Sequence, residues 1–252
     1  TENTAIGQRS LLNLVTGHRN TGVGGGTLQN TTGNDNTAVG RDALIQNTSG
    51  AANTAVGKDA LNDNTTGTEN AAFGAIALDA NTTGNNNTAC GRSALGSNTT
   101  ASNNVAVGYN SLLVNTTGTA NVAVGTLTLD ANTTADNNTG VGFAVLGNNT
   151  TGADNVGLGY GALNSNTTAN NNTAAGKNAL TANTTGASNT AVGTNALDAN
   201  TTASNNTAVG AVALGANTTG TGCTAVGTDT LTANTTSNNN TAVGYLALQD
   251  NT

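Results

Sequence analysis

Few residues in this chain carry side chains that could do chemistry, and they do not cluster along the sequence. There is one histidine, His18, and there are two cysteines, Cys90 and Cys223. None of them stands beside a partner in a motif for nucleophilic or general acid–base catalysis. Seven aspartates occupy different positions of the repeat described below, so they form no continuous column of carboxylates. They are Asp42, Asp59, Asp79, Asp130, Asp198, Asp229 and Asp250. The sequence therefore predicts no catalytic, cofactor-binding or metal-binding residue, and we do not expect an enzyme.

Net charge and hydropathy argue against two kinds of partner, nucleic acids and the interior of a membrane. The formal net charge is −7 and the six basic residues are dispersed, whereas nucleic-acid binding requires clustered lysines and arginines. There is no uninterrupted apolar run of the length that a transmembrane helix needs. We therefore expect neither a nucleic-acid partner nor a membrane span in this segment.

The chain is built on one short repeat. Its motif is Asn36-Thr37-Ala38-Val39-Gly40, followed four residues later by Leu44, and the glycine recurs every 17 residues from Gly40 to Gly244. We number positions from this glycine, so that Asn36 is at −4 and Leu44 at +4. Other members of the same columns are Asn53, Val56, Gly57, Leu61, Gly193 and Leu197. Such regularity predicts one repeat body over 1–252, with irregular first repeats over 1–35 and regular ones over 36–252.

Composition decides which kind of repeat this is. A 17-residue unit is too short for two packed helices, and Asn, Thr and Gly are poor helix formers. Thr and Val favour strands, and Asn and Gly favour turns. The predicted fold is therefore an all-β parallel β-solenoid of about fifteen rungs, with one strand over Thr-Ala-Val and a second ending at Ala-Leu. Gly40 is expected to turn the chain, and the asparagines at −4 to stack their amides from rung to rung.

The alternation of side chains along a strand predicts which ladders face inward. Val39 and Leu44 are taken to fill the core, so Ala38 is expected to face outward, against a partner chain. By the same rule Cys90, which replaces a Val at −1, is predicted to be a buried core residue. Cys223 replaces an Asn at −4 and is either structural or a contact with a symmetry mate. About eight rungs, or about 38 Å, separate the two cysteines, too far for a disulfide.

Polar and aromatic residues near the turns suggest surface roles. Tyr109, Tyr160 and Tyr245 all follow the repeat glycine, and we expect them to pack on the surface rather than to stack on a sugar. Asn-Thr-Thr segments such as 64–66 match the N-glycosylation acceptor, although a repeat made of Asn and Thr produces such matches by construction. From Gly84 onward, position +10 alternates between Gly and Ala, giving a 34-residue super-repeat.

The pentapeptide Asn36 to Gly40 and its copies resemble the head repeats of trimeric autotransporter adhesins (YadA-like heads). The resemblance covers nearly the whole chain and implies a left-handed parallel β-roll, three copies of which pack around an axis. The family's usual repeat is about three residues shorter. Similar repeats also occur in phage-tail-like fibre proteins, so the route of secretion does not follow from the resemblance.

These observations predict a structural protein. We expect the repeat region of an extracellular or cell-surface fibre or adhesin that holds an attachment function away from a surface, with copies of itself as partners, as a homotrimer or an end-to-end filament. The filament rests on Thr1 and Thr252, which leave two residues missing from continuous register. Two alternatives stay open: an ice-binding solenoid that uses its threonine ladders, and a phage-tail-like fibre shaft.

Overall fold

The computed structural model describes residues 2–251, and the protein is an all-β parallel β-solenoid as predicted. Each rung contributes one three-residue strand, and within each unit described below consecutive strands pair in parallel and in register, so that Val39 lies opposite Val56. The described part of the chain contains no helix. Thr1 and Thr252, on which the expected filament register rests, lie outside the described residues. The left-handed winding and the three-fold packing stay predictions.

Contacts between rungs divide the chain into two compact units. Unit 1 is Thr1–Thr126 and unit 2 is Leu127–Thr252. The strands of unit 1 are β1 Thr4–Ile6, β2 Thr21–Val23, β3 Thr37–Val39, β4 Thr54–Val56, β5 Ala71–Phe73, β6 Thr88–Cys90, β7 Val105–Val107 and β8 Val122–Val124. Those of unit 2 are β9 Thr139–Val141, β10 Val156–Leu158, β11 Thr173–Ala175, β12 Thr190–Val192, β13 Thr207–Val209, β14 Thr224–Val226 and β15 Thr241–Val243.

The repeat glycine ends each strand for two physical reasons. Gly40 has φ of +128°, a backbone conformation that L side chains rarely adopt. A Cβ built on Gly40 would also lie 2.5 Å from the carbonyl oxygen of Gly57 in the next rung. Positive φ and close backbone approach therefore act together at one position, which confirms the prediction made for this column.

The second strand predicted in each rung does not form, and that prediction is wrong. The segment after the glycine is a series of turns. Asp42 at +2 has φ of 58° and Leu44 at +4 has φ of 52°. The leucine accepts this left-handed conformation because its side chain is fully buried. Burial of one leucine is worth about 1.5–3 kcal/mol, which offsets a strain of about 1–3 kcal/mol.

The faces of the remaining strand are the reverse of those predicted. Ala38 is fully buried together with Leu44, whereas Val39 is only half-buried and Val192 is 39% exposed. The prediction that Val39 fills the core and that Ala38 meets a partner chain is therefore wrong. The reason is space, because a Cβ added at Gly140, in the same column as Ala38, would already lie 2.7 Å from Cγ2 of Thr128. Only Ala or Gly fits inside the strand.

The burial of the two cysteines follows from the direction of the side chains at −1 and −4. Cys90 at −1 is exposed, so its predicted burial is wrong for the same reason as that of Val39. Cys223 is fully buried, where its backbone N–H donates to Oδ1 of Asn206 at 2.9 Å and its thiol donates to the carbonyl of Ser237 at 3.3 Å. It thus takes the structural role of the two considered, and it is not available for contact with a symmetry mate.

The Gly/Ala alternation at +10 coincides with an alternation in the length of one backbone hydrogen bond between neighbouring rungs, the bond donated at +8. Where +10 is Gly84, the N–H of Thr82 donates to the carbonyl of Thr99 at 2.8 Å, and where it is Ala101, the bond from Thr99 to Thr116 is 3.2 Å. In unit 2 the corresponding bonds donated by Thr150, Thr167, Thr184, Thr201 and Thr218 are 2.9, 3.1, 2.8, 3.2 and 2.8 Å. The methyl group at +10 lengthens this bond locally, because the inter-rung bonds at −3, such as those donated by Thr88 and Val105, stay at 2.8 Å. The super-repeat is therefore a structural period of two rungs.

Candidate functional site

Asparagine ladders hold the rungs in register and so fix the outward faces. At −4, the backbone N–H of Asn53 donates to Oδ1 of Asn36 at 3.0 Å. Its Nδ2 donates to the same oxygen at 3.2 Å and to the carbonyl of Gly67 at 2.8 Å. These asparagines are fully buried, and buried polar groups of this kind require partners. The predicted stacking of amides at −4 is confirmed.

A second amide ladder, at +7, lies beside the first and shares its backbone acceptors. Nδ2 of Asn64 donates to Oδ1 of Asn47 at 2.8 Å and to the carbonyl of Gly67 at 3.0 Å. The Gly67 carbonyl thus receives one bond from each ladder. Both hydrogens of Asn64 are donated inside the protein and its side chain is fully buried, so this asparagine does not present its amide to solvent, whereas Asn30 of the segment 30–32 is exposed.

The threonine that follows each of these asparagines also bonds within the protein. Oγ1 of Thr48 donates to the carbonyl of Thr65 at 2.8 Å, and Oγ1 of Thr65 donates to the carbonyl of Thr82 at 3.0 Å. This use of a hydroxyl to satisfy the backbone of a turn is typical of threonine. The next residue, such as Thr66 at +9, is exposed in a bend. Threonine pairs of the Asn-Thr-Thr segments therefore lie in bends and not on the strand.

The outward side of the strands is a regular surface without charge. We call the side chains at −3 and −1 the strand face. No Lys, Arg, Asp or Glu occupies either position in any of the fifteen strands. In unit 2 its −1 column is exposed by 36–70% wherever the residue is Val or Leu, at Val141, Leu158, Val192, Val209, Val226 and Val243. Scattered exposed apolar residues are ordinary, but a contiguous apolar patch indicates an interaction surface.

Position +1, directly after the glycine, forms a row beside the strand face and carries the tyrosines. Tyr109 is 45% exposed, and the guanidinium of Arg92 lies over its ring at 5.9 Å from the centroid. Tyr160 stacks on Phe143 with centroids 5.5 Å apart, and Tyr245 is 73% exposed. The three tyrosines are at the surface and two pack against neighbouring rungs, so Phe143 and Arg92 belong to this row. Phe143 and Arg92 could have been recognised from the sequence, because both stand at +1 like the tyrosines.

The remaining titratable residues form no reactive group. His18 is exposed in a loop, where its backbone N–H donates to Oδ1 of Asn34 at 2.8 Å. Within residues 2–251 no cluster of three or more His, Cys, Asp or Glu side chains is placed to hold a metal ion. Arg19 and Asp35 form an exposed ion pair at 2.6 Å, whose hydrogen bond lowers the pKa of Asp35.

Three aspartates at +5 share an environment that position in the repeat explains. Asp79, Asp130 and Asp198 are half-buried. Desolvation by burial raises the pKa of each above its ordinary value of 3.8, because burial disfavours the charged form. For Asp198, backbone hydrogen bonds oppose this shift. Each of these carboxylates therefore weakens the folded state at neutral pH.

We predict that Asp198→Asn raises the stability of the protein at pH 7. The folded state binds the proton more tightly than the unfolded state, so the destabilisation is fully present above the raised pKa and disappears as pH falls below about 3.8. Urea unfolding midpoints measured from pH 7 to pH 3 should show a gain that shrinks on acidification. Asp35→Asn is the control of opposite sign, since the pKa of Asp35 is lowered. A gain that grows on acidification would contradict the assignment.

Comparison with protein-family models and with curated proteins finds no match to this chain. Among residues 2–251 no helix is long and apolar enough to cross a membrane. The architecture therefore defines the class, a parallel β-solenoid of tandem 17-residue repeats.

Proposed function

We propose that this chain is the structural repeat region of an extracellular fibre or surface adhesin, and that it associates with copies of itself through the strand face. The observation that carries the proposal is the unit 2 column of exposed Val and Leu at −1, in a protein whose amide ladders already bond internally. The Ala column at −2, which the sequence predicts to lie at the interface, is buried in the interior. The candidate interface therefore moves to the opposite side of the same strands, and self-association stays the proposal.

A second copy of the chain is the occupant that this face fits best. Each unit presents its outward columns at the strand spacing of about 4.8 Å, so a copy offers side chains at the same period. The chain as a whole carries a net charge of −7, so copies repel one another except where no charged side chain lies. The strand face meets that condition, because its −3 and −1 positions are Thr, Val and other uncharged residues.

The expected assembly is a homotrimer, and its interface can be broken without unfolding the rungs. Light scattering should give about 73 kDa, three times the 24.4 kDa chain. The double substitution Val192→Glu and Val209→Glu places charges on two adjacent strands at positions that are 39% and 37% exposed. We expect it to yield the monomer, because like charges would face one another across the interface at a cost of several kcal/mol.

The matched control adds the same charges elsewhere on neighbouring rungs. Thr185→Glu and Thr202→Glu lie in exposed bends and should leave the trimer intact. Circular dichroism must show unchanged strand content in both double variants. A wild-type chain that scatters as a 24 kDa monomer at micromolar concentration would contradict self-association, and a dimer or long filament would replace the trimer.

Ice binding is the second candidate, on a different surface from the one first considered. The threonines of the bends donate their hydroxyls to backbone carbonyls, but the strand face also carries threonines at −3, such as Thr190 and Thr207 on paired parallel strands. A thermal-hysteresis measurement on the wild-type chain distinguishes the two candidates. Activity that is lost on replacing Thr190 and Thr207 would support ice binding, and its absence in the wild type would remove this candidate.

A further inference from the structure

Unit 1 has a surface hollow of about 220 Å³ where one rung lacks side chains that its neighbours carry. Positions +1 and +2 are Gln8-Arg9 in the first rung and Arg41-Asp42 in the third, but Gly25-Gly26 in the second. A Cβ at Gly25 would meet only the carbonyl oxygen of Gln8, at 3.9 Å. The hollow is therefore the space that the missing side chain at Gly25 leaves open, whereas the space beside Gly26 is already taken by the Asp42 carboxylate.

Two guanidinium groups flank this space, and they are not equally engaged. Nε of Arg41 lies 3.2 Å from Oδ2 of Asp42, so this cation already has a carboxylate. Within residues 2–251 Arg9 makes no ion pair. A free guanidinium presents a planar set of donors that matches a carboxylate in a bidentate arrangement. Arg9 is exposed and lines the hollow, so its guanidinium is accessible to an anion at the edge of the hollow.

The other lining groups suit hydroxyls and one small apolar surface. Gln8 and Gln29 contribute primary amides, which both donate and accept hydrogen bonds. The Asp42 carboxylate accepts, and Ile45 gives an apolar wall. Ligand pockets for drug-sized molecules measure about 300–1,000 Å³, so a hollow of about 220 Å³ takes a smaller molecule, of the size of one sugar ring.

We propose that this hollow binds an acidic monosaccharide unit, whose carboxylate pairs with Arg9 and whose hydroxyls bond to Gln8, Gln29 and Asp42. The binding site does not require the chain to associate with itself, so it stands or falls separately from the function proposed above. It gives the chain a target chemistry, an acidic glycan, on the rungs where the repeat is least regular.

The test uses glucuronate as the probe and glucose as the neutral sugar of similar shape. Titration into the full chain, followed by the backbone amide resonances of Gln8, Gly25 and Asp42, should give saturable shifts with glucuronate at millimolar concentration. Glucose should bind at least tenfold more weakly. Equal binding of the two sugars, or no saturable shift with glucuronate, overturns the proposal, and inorganic phosphate that binds as tightly as glucuronate overturns the assignment to a sugar acid.

Two variants test the geometry. Arg9→Gln removes the free guanidinium, and Gly25→Leu fills the hollow at a position whose φ is not in the left-handed region and whose added Cβ has room. Each should weaken glucuronate binding at least tenfold while the circular dichroism spectrum stays unchanged. Arg92→Gln is the control, because it removes an exposed arginine, at +1, on a rung away from the hollow and so changes the net charge by the same amount as Arg9→Gln. Wild-type affinity in both Arg9→Gln and Gly25→Leu would overturn the proposal.

Discussion

Replacing Gly74 with alanine is expected to destabilise the protein by about 2–6 kcal/mol. Gly74 has φ of +141°, where an L residue is strained by about 1–3 kcal/mol. Its added Cβ would also lie 2.5 Å from the carbonyl oxygen of Gly91 and 2.7 Å from the carbonyl carbon. Relief of that overlap requires the rungs to separate, and overpacking of this kind costs about 1–3 kcal/mol. Urea unfolding followed by circular dichroism measures the loss.

Substitutions at two further glycines distinguish the cost of backbone strain from the cost of steric overlap between rungs. Gly244 has φ of +128°, but its nearest neighbour for an added Cβ is Cβ of Ala247, at 3.8 Å. Gly244→Ala should therefore show the backbone strain alone. Gly25 has neither positive φ nor a close neighbour, so Gly25→Ala should change stability by less than about 1 kcal/mol. If Gly74→Ala is no more harmful than Gly244→Ala, the close approach of rungs is not what selects glycine.

Removal of a single side-chain amide from the −4 ladder should destabilise the protein almost as much as Gly74→Ala. Asn189 is fully buried, and its Oδ1 accepts the backbone N–H of Asn206 at 3.0 Å. Its Nδ2 donates to the carbonyl of Ala203 at 2.8 Å and to Oδ1 of Asn172 at 3.2 Å. Asn189→Ala leaves the Asn206 N–H without this acceptor. Since each buried unsatisfied group costs about 1–3 kcal/mol, the expected loss is about 2–5 kcal/mol.

The chain contains its own comparison for this variant. Cys223 stands in the same column and keeps its backbone N–H on Oδ1 of Asn206, but a thiol offers no carbonyl oxygen to the next rung. Asn189→Cys should therefore fall between wild type and Asn189→Ala in urea unfolding. The reverse change, Cys223→Asn, should raise stability, because its Oδ1 would accept the N–H of Asn240. A stability ranking in which Ala equals Asn would show that the ladder contributes nothing.

Much of this fold could be predicted from the sequence because identity at a fixed spacing forces identical residues to stack. The glycine and asparagine columns follow from that rule, since each has a chemical reason that holds in every rung. The inward or outward direction of Ala38 and Val39 does not follow, because hydrophobicity favours Val inside while the width of the interior, visible only in three dimensions, excludes it. A sequence signal existed at Gly140 and Gly157, where Ala is missing beside the larger Thr128 and Val145.

The candidate surfaces were predictable in a similar, partial way. Tyr160 could be placed beside the turn from its position alone, but its stack on Phe143 depends on the outward direction of +1 side chains. The second strand could not be rejected from the sequence, because Leu44 at φ of 52° is a conformation that leucine rarely adopts. Burial of that side chain in a narrow interior explains why it does so in the rungs from Leu11 to Leu231, and the exposed Leu248 keeps the conformation of the rungs before it.

The amide ladders have an electrical consequence. Nδ2 of Asn53 donates to Asn36 and Nδ2 of Asn64 donates to Asn47, so in both ladders the donor belongs to the later rung and the acceptor to the earlier one. The bond dipoles of the two columns therefore add, and the threonine hydroxyl bonds, which run from the earlier rung to the later one, oppose them in part. The strand dipoles of an ordinary β-sheet, by contrast, leave only a small net moment. Each unit should carry a permanent dipole along its stacking direction, and transient electric birefringence would detect it as alignment of the molecules in an applied field.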